Sequence, residues 1–104
     1  MKRYRVLMAE PAAEDLFKIA EYIAWELRDP AAAQKLVGKI KEAVMSLAEL
    51  PIRYATVADE HLATRGIRKL PIGNYIVFYV VSENDGTVTV VRILYGRRDW
   101  EHLL

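Results

Sequence analysis

The last third of the chain most constrains its fold, because three segments rich in strand-forming residues follow one another with turn sequences between them. The segments are IRKLPI at 67–72, YIVFYVVS at 75–82 and TVTVVRIL at 87–94. Gly73-Asn74 and Asp85-Gly86 separate them, and these residue types tolerate the positive φ angles of tight turns. Connections this short join neighbouring antiparallel strands, so the spacing predicts a three-stranded meander.

The residue types within the meander predict the order of its strands. Pro71 has no N–H to donate to a neighbouring strand, so the first strand should lie at an edge of the sheet or end there. The segment 75–82 is apolar on both faces and rich in β-forming residues, which favours a central position.

The first half of the chain has the patterns of one strand and two amphipathic helices. Polar and apolar residues alternate at the start, with Tyr4, Val6 and Met8 on one face of a predicted strand. Apolar residues then recur at a spacing of three and four, first from Pro11 to about Leu27 and again from Pro30 to before Pro51. Asp29-Pro30 combines an N-cap acceptor with a proline suited to a first helical turn. The two-residue break predicts an antiparallel helical hairpin.

The segment 51–66 lacks either periodicity and is interpreted as a loop with a helical turn. The predicted fold class is therefore α+β, with an N-terminal strand, a helical hairpin and a meander that forms one small sheet covered by the two helices. A chain of 104 residues has room for one hydrophobic core, so residues 1–104 are expected to form a single domain.

Composition excludes several classes of protein. Hydrophobic residues make up 53% of the chain and charged residues 28%, which is typical of globular proteins. No cysteine is present, so disulfides and thiolate metal sites are unavailable and a cytoplasmic location is expected. The start lacks the apolar core of a signal peptide, and the run 75–81 is far too short to span a membrane. His61 follows Asp59 and Glu60, but this spacing matches no known metal site.

Charge gives a weak indication of a partner. The net charge is +1. Residues 1–60 hold nine basic and ten acidic residues, whereas 61–104 hold six and four. The balance therefore shifts from −1 to +2 along the chain, which weakly favours an anionic partner near the C-terminal half.

The layout and several local motifs together resemble the RelE/ParE superfamily of toxins from toxin-antitoxin pairs, over the chain from about Tyr4 to the end. The motifs, in chain order, are Asp15-Leu16 with Ile19 and Tyr22-Ile23, Gly66-x-Arg68, Asn74-Tyr75-x-Val77-Phe78-Tyr79, and Arg92-Ile93-Leu94. The resemblance implies a growth-inhibiting toxin that a cognate antitoxin neutralises by wrapping it with a helix and an added strand. It implies no membrane partner, no small-molecule substrate and no cofactor.

The superfamily has two branches with different targets, and the position after Tyr75 separates them. RelE-like members cut mRNA on the ribosome without a metal, and in that branch an arginine follows this tyrosine. This chain has Ile76 there, and loss of one such contact removes about 3 kcal/mol of transition-state stabilisation. Many of those nucleases carry a tyrosine near the C-terminus. The corresponding position in this chain lies near Leu103, and no tyrosine is present there. ParE-like members, which inhibit DNA gyrase without known catalysis, have an apolar residue at this position, so the ParE-like branch is favoured.

The alternative is a metal-independent mRNA endonuclease with a rearranged site. The resemblance implies Arg97 as the counterpart of a second arginine after the last strand. The RelE-like branch also has a basic pair in the strand entered at Ile67, which Arg68 and Lys69 match only in part. As neighbours in a strand, these two residues point to opposite faces. His102 is either a proton carrier or a solvated residue near the chain end. A further alternative is an inactive binding module of the same fold.

Six residues are candidates for contact with target or antitoxin, namely Trp25, Arg68, Arg92, Arg97, Arg98 and Trp100. Arginine and tryptophan commonly anchor protein interfaces. Trp25 either contacts the antitoxin or packs against the loop after Pro51. Trp100 either anchors a partner or folds back beside Tyr95.

Arg92 is the most informative of these candidates. Strand alternation places it on one apolar face with Val88, Val90 and Leu94. A buried arginine is costly unless it is paired. Arg92 is therefore expected either to form a structural ion pair or to contact a partner.

Overall fold

The computed structural model of the chain describes residues 3–49, 51–54, 56–57, 60–97 and 103–104. Strand β1 (Arg5–Met8) leads into helix α1 (Glu10–Glu21), which continues as a π-helical turn (Tyr22–Glu26), and helix α2 (Pro30–Ser46) follows. A 3₁₀ turn (Pro51–Arg53) and the short helix α3 (Glu60–Thr64) connect the helical hairpin to strands β2 (Arg68–Ile72), β3 (Tyr75–Ser82) and β4 (Thr87–Tyr95).

The four strands form one mixed sheet in the order β1-β4-β3-β2. Strands β2, β3 and β4 are antiparallel neighbours, which confirms the predicted meander, with β2 at an edge and β3 inside the sheet. Strand β1 runs parallel to β4, with Arg5 opposite Thr87 and Met8 opposite Val90. The sequence predicts this strand but not its partner.

The first helix ends differently from the prediction of one continuous helix to about Leu27. After Glu21 the backbone widens into the π-helical turn, in which the N–H of Leu27 donates to the carbonyl of Tyr22 at 3.2 Å. Arg28 then adopts a left-handed φ of 53°. The Asp29 carboxylate accepts from the N–H of Ala32 at 3.0 Å, which confirms the predicted N-cap of α2.

Both helices cover one face of the sheet, as predicted. The core on this side is formed by residues of α1, the inner face of α2 and the strand residues that face the helices. Its buried members include Ala12, Ile40, Val44, Leu47, Val77, Tyr79, Val88, Val90 and Ile93. None of the helices in the described part of the chain is both long and apolar enough to cross a membrane.

The opposite face of the sheet has a smaller core of its own. Phe78 and Leu94 project from the sheet and pack with Ile67, with Leu62 of α3 and with Val57. Ile76 and the two final leucines, Leu103 and Leu104, pack against this second cluster. The second cluster explains why β3 is apolar on both faces.

A β-bulge at Val91 changes which face the end of β4 presents. Phe78 pairs with Arg92 whereas Tyr79 pairs with Val90, so Val91 is an extra residue between the two pairs. Ile93 consequently joins Val88 and Val90 in the core under the helices, and Leu94 joins the second cluster. The expectation that Val88, Val90, Arg92 and Leu94 share one face was wrong, because simple alternation does not anticipate the inserted residue.

Candidate functional site

Arg92 forms an ion pair with Asp15 of α1. Its Nε lies 2.6 Å from Asp15 Oδ2, and its second terminal nitrogen, Nη2, lies 2.8 Å from Oδ1. The Arg92 and Asp15 side chains are only 22% and 12% exposed. Hydrogen bonding to Asp15 raises the pKa of Arg92 above its ordinary value. Of the two readings of Arg92, the structural ion pair is confirmed, and the partner contact stays a prediction.

The position of Asp15 follows from the length of β1. That strand pairs with β4 only as far as Val90, whose carbonyl accepts from the N–H of Ala9 at 2.9 Å. Beyond this point β4 would have an open edge, but Asp15 Oδ2 accepts from the N–H of Ile93 at 3.0 Å. The same carboxylate therefore stabilises Arg92 and replaces a strand partner, which attaches α1 to the sheet. The sequence gives no direct signal for this second role.

Arg68 is occupied by the chain that precedes α3. Its Nη1 donates to the carbonyl of Tyr54 at 2.6 Å and to that of Ile52 at 3.4 Å. Thr56 adds a single antiparallel bridge to Arg68. The hydroxyl of Tyr79 donates to the carbonyl of Pro51 in the same region. Arg68 therefore holds the connecting segment on the sheet edge, while its contact with a partner stays a prediction.

Arg97 lies at the other end of the sheet from Arg68. It follows Gly96, whose N–H donates to the carbonyl of Asn74 at 2.8 Å. Arg97 is exposed. Arg68 pairs with Tyr79, which lies five positions along the chain from Asn74. At about 3.3 Å per residue, the two backbones are on the order of 16 Å apart. The structure does not bring these two candidates together.

Ile76 is partly buried in an apolar environment. It packs against the second cluster beside Phe78 and Leu94, and Leu103 covers the same cluster. Nη1 of Arg92 donates to the Leu103 carbonyl at 3.0 Å, and Nη1 of Arg65 donates to that of Leu104 at 2.8 Å. The two arginines therefore hold the last residues over this face of the sheet.

Arg98, Trp100 and His102 lie outside the described residues, so their roles stay predictions. His61 lies in α3, but its side chain is not among those described. Among the side chains that are described, no three acidic, histidine or cysteine groups come close enough to hold a metal ion.

Trp25 lines a groove of about 500 Å³ between the two long helices. This interhelical groove is bordered by Phe17, Ala20, Trp25, Val37, Gly38 and Lys41. The Trp25 side chain is 76% exposed and that of Phe17 is 67% exposed. Trp25 therefore does not pack against the described residues of the loop after Pro51, because the π-helical turn presents it beside α2. Two exposed aromatic rings beside an apolar groove are typical of a protein interface.

A second groove, of about 600 Å³, lies between α1 and the end of the sheet. We call it the tyrosine groove, because its lining includes Lys18, Ile19, Tyr22, Asn74, Tyr75 and Tyr95. The rings of Tyr75 and Tyr95 meet edge to face with centroids 5.7 Å apart. Burial, followed by the proximity of Tyr95 and Tyr22, raises the pKa of Tyr75. The sequence does not predict this cluster, because counting back from the pair of Ser82 and Thr87 would place Leu94 opposite Tyr75, and only the bulge at Val91 brings Tyr95 there.

The fold is similar to the folds of known structures. It is similar to a chain of the chromosomal ParDE toxin-antitoxin system from P. aeruginosa, with a TM-score of 0.74, 23% identity and coverage of 91% of this chain and 98% of the other. It is also similar to a chain of the toxin-antitoxin complex RelBE2 from Mycobacterium tuberculosis, with a TM-score of 0.60, 23% identity and coverage of 91% and 93%. The molecule thus has the RelE/ParE fold.

Similarity in sequence identifies the family of this chain more specifically than similarity in fold. The model of the ParE toxin of the type II toxin-antitoxin system parDE matches residues 6–100. A curated relative, Toxin RelE2 of Caulobacter vibrioides, is 38% identical over 88 residues, which cover 84% of this chain and 89% of the relative. The chain belongs to the ParE toxin family and is the toxin of a type II toxin-antitoxin system. This confirms the superfamily recognised from the sequence motifs.

Proposed function

We propose that this toxin inhibits growth by binding DNA gyrase without catalysing a reaction. The observation that carries this proposal is the environment of Ile76, which is partly buried and packs against the same apolar cluster as Leu103. A nuclease of the RelE-like branch needs a cation at this position to bind the scissile phosphate and stabilise developing charge. A partly buried aliphatic side chain carries no charge and can do neither.

The separation of the remaining basic groups supports the same proposal. Phosphodiester cleavage requires its charged groups to converge on one reacting phosphate within hydrogen-bond distance. Arg68 is engaged with the Tyr54 carbonyl at 2.6 Å, and Arg97 lies at the opposite end of the sheet. The runner-up is a metal-independent mRNA endonuclease that uses Arg68, Arg97 and His102, and the name of the Caulobacter relative supports it.

A cognate antitoxin is the second partner that we propose. Two of the similar structures are described as a toxin-antitoxin system and a toxin-antitoxin complex. In this chain the interhelical groove offers Phe17 and Trp25 as exposed anchors beside apolar α2 residues. Its dimensions and apolar lining suit an amphipathic helix laid along the hairpin. The edge of β2 is a less suitable surface, because Pro71 lacks a donor and Thr56 already bridges Arg68.

The proposal predicts that the purified toxin inhibits supercoiling by DNA gyrase and leaves translated mRNA intact. Both assays should be run on the wild type and on Arg97→Ala. We expect the wild type to inhibit gyrase without cleaving mRNA, because Arg68 and Arg97 do not converge on one site.

The opposite pattern would overturn the proposal in favour of the runner-up. That pattern is cleavage of translated mRNA by the wild type, its loss in Arg97→Ala, and no effect on gyrase. The matched control is Arg3→Ala, since Arg3 is an exposed arginine far from Arg97 that pairs with Glu49 at 3.5 Å. It should behave as the wild type in both assays.

A further inference from the structure

We propose that the tyrosine groove is the surface with which the toxin contacts its target, and that it receives an acidic segment of the target protein. This inference rests on the proposed function, since it locates the contact through which growth is inhibited. The target would thus bind the tyrosine groove, whereas the antitoxin helix is proposed to bind a different surface, the interhelical groove.

The groove offers hydrogen-bond donors that the fold leaves unused. Tyr22, Tyr75 and Tyr95 line it together, and none of their hydroxyls has a hydrogen-bond partner among the described residues. Tyrosine side chains give large contact areas at low entropic cost, and each hydroxyl can donate to a carboxylate or a carbonyl. The edge-to-face packing of Tyr75 and Tyr95 at 5.7 Å fixes two of the rings before a partner arrives.

The charge around the groove favours an acidic partner. Lys18 lines the groove and forms no ion pair within the described part of the chain. Asp15 is the acidic residue in the lining, but its carboxylate is taken up by Arg92 and the Ile93 N–H. Arg97, which follows Tyr95 by two positions, adds an exposed cation at the end of the sheet. The groove therefore presents free donors and cations without a free carboxylate.

A nucleic acid fits the groove less well than a protein segment. Binding of single strands combines aromatic stacking with a track of cations that follows the phosphates. Here one lysine lines the groove, and Tyr75 and Tyr95 meet edge to face, so no open pair of parallel rings is available for a base. The lining is largely apolar otherwise, with Ile19, Leu27 and Ile93 at its floor and walls.

Two acidic residues, Glu21 and Glu26, lie between the tyrosine groove and the interhelical groove. A hollow between the two grooves is lined by Lys18, which also lines the tyrosine groove, and by Tyr22, Trp25, Glu21 and Glu26. These two glutamates would repel an acidic segment that extended from the tyrosine groove towards Trp25. Variants in one groove should therefore affect one partner and leave the other unchanged.

The test measures two properties of variants whose folding is confirmed by thermal melting. Growth inhibition is scored as colony counts when the toxin is expressed without antitoxin, and antitoxin binding is measured as a dissociation constant. Lys18→Glu and the double variant Tyr75→Phe/Tyr95→Phe alter the groove, and the second keeps both rings. Lys35→Glu, at an exposed lysine of α2 outside both grooves, is the charge control.

We expect both groove variants to lose growth inhibition by about tenfold or more while their antitoxin affinity stays within about twofold. Lys35→Glu should match the wild type. Growth inhibition equal to wild type in both groove variants would overturn the inference. Joint loss of growth inhibition and antitoxin binding would overturn it as well, because the groove would then belong to the antitoxin.

Two further measurements separate this inference from the identity of the target. Binding to purified gyrase should weaken in Lys18→Glu by the same factor as growth inhibition. If the wild type does not bind gyrase but the groove variants still lose growth inhibition alone, the proposed target is wrong and the groove stands. If a fluorescent single-stranded RNA binds the wild type and is released by the groove variants, the site is one for nucleic acid and the inference fails.

Discussion

Replacing Asp15 with alanine should lower the free energy of unfolding by about 3 kcal/mol, because a mostly buried arginine then loses its partner. The substitution also removes the acceptor for the Ile93 N–H at the edge of β4, which leaves a backbone donor unsatisfied. For a domain of this size the melting temperature should fall by roughly 15 °C. Urea unfolding, followed by circular dichroism, measures the change.

The matched control for this prediction is Glu14→Ala. Glu14 is the neighbouring acid on α1 and is exposed, so its loss should cost less than about 0.5 kcal/mol. A double-mutant cycle with Arg92→Met isolates the pair. A coupling energy below about 0.5 kcal/mol between the two positions would show that the ion pair does not stabilise the fold.

Replacing Trp25 with alanine should weaken antitoxin binding by about 2–4 kcal/mol, a loss of roughly 30- to 1,000-fold in affinity. The side chain is 76% exposed in the toxin, so its removal should barely change stability. A helix seated in the interhelical groove would bury the whole indole against the α2 residues. Titration calorimetry with the purified cognate antitoxin measures the affinity.

Met45→Ala is the control for this second prediction. Met45 is an apolar residue of α2 that is 63% exposed and lies outside the interhelical groove. Its substitution should leave the affinity within about twofold of the wild type. Equal affinities for Trp25→Ala and the wild type would place the antitoxin on another surface of the toxin.

The elements of this fold could be predicted where the signal is local. Asp29-Pro30 begins α2, and the turn sequences at Gly73-Asn74 and Asp85-Gly86 define the meander, because each depends on residues a few positions apart. The parallel partner of β1 could not be predicted, since no turn links residue 5 to residue 87. The bulge at Val91 could not be predicted either, because an inserted residue leaves the composition of a strand unchanged.

The candidate site was predictable only in part for a related reason. An arginine inside an apolar strand indicated either an ion pair or a contact with a partner, and the sequence alone did not place a compensating carboxylate on α1. The exposure of Trp25 beside α2 depends on the π-helical turn, which has no clear sequence signal. The tyrosine groove joins residues from α1, from a turn and from two strands, and such a combination emerges only when the register of β3 and β4 is known.

The pairing of the first strand with the last also governs when the molecule can fold. Arg5 lies opposite Thr87, so at about 5–20 residues per second β1 waits roughly 4–16 s during synthesis for its neighbour. Contacts between such distant residues also slow folding itself. We expect chains stalled on the ribosome at Ser82 to be digested readily by protease, whereas the released full-length chain resists. Toxicity would then begin only after β4 has been synthesised, which gives the antitoxin a folded surface to bind rather than an unfolded chain.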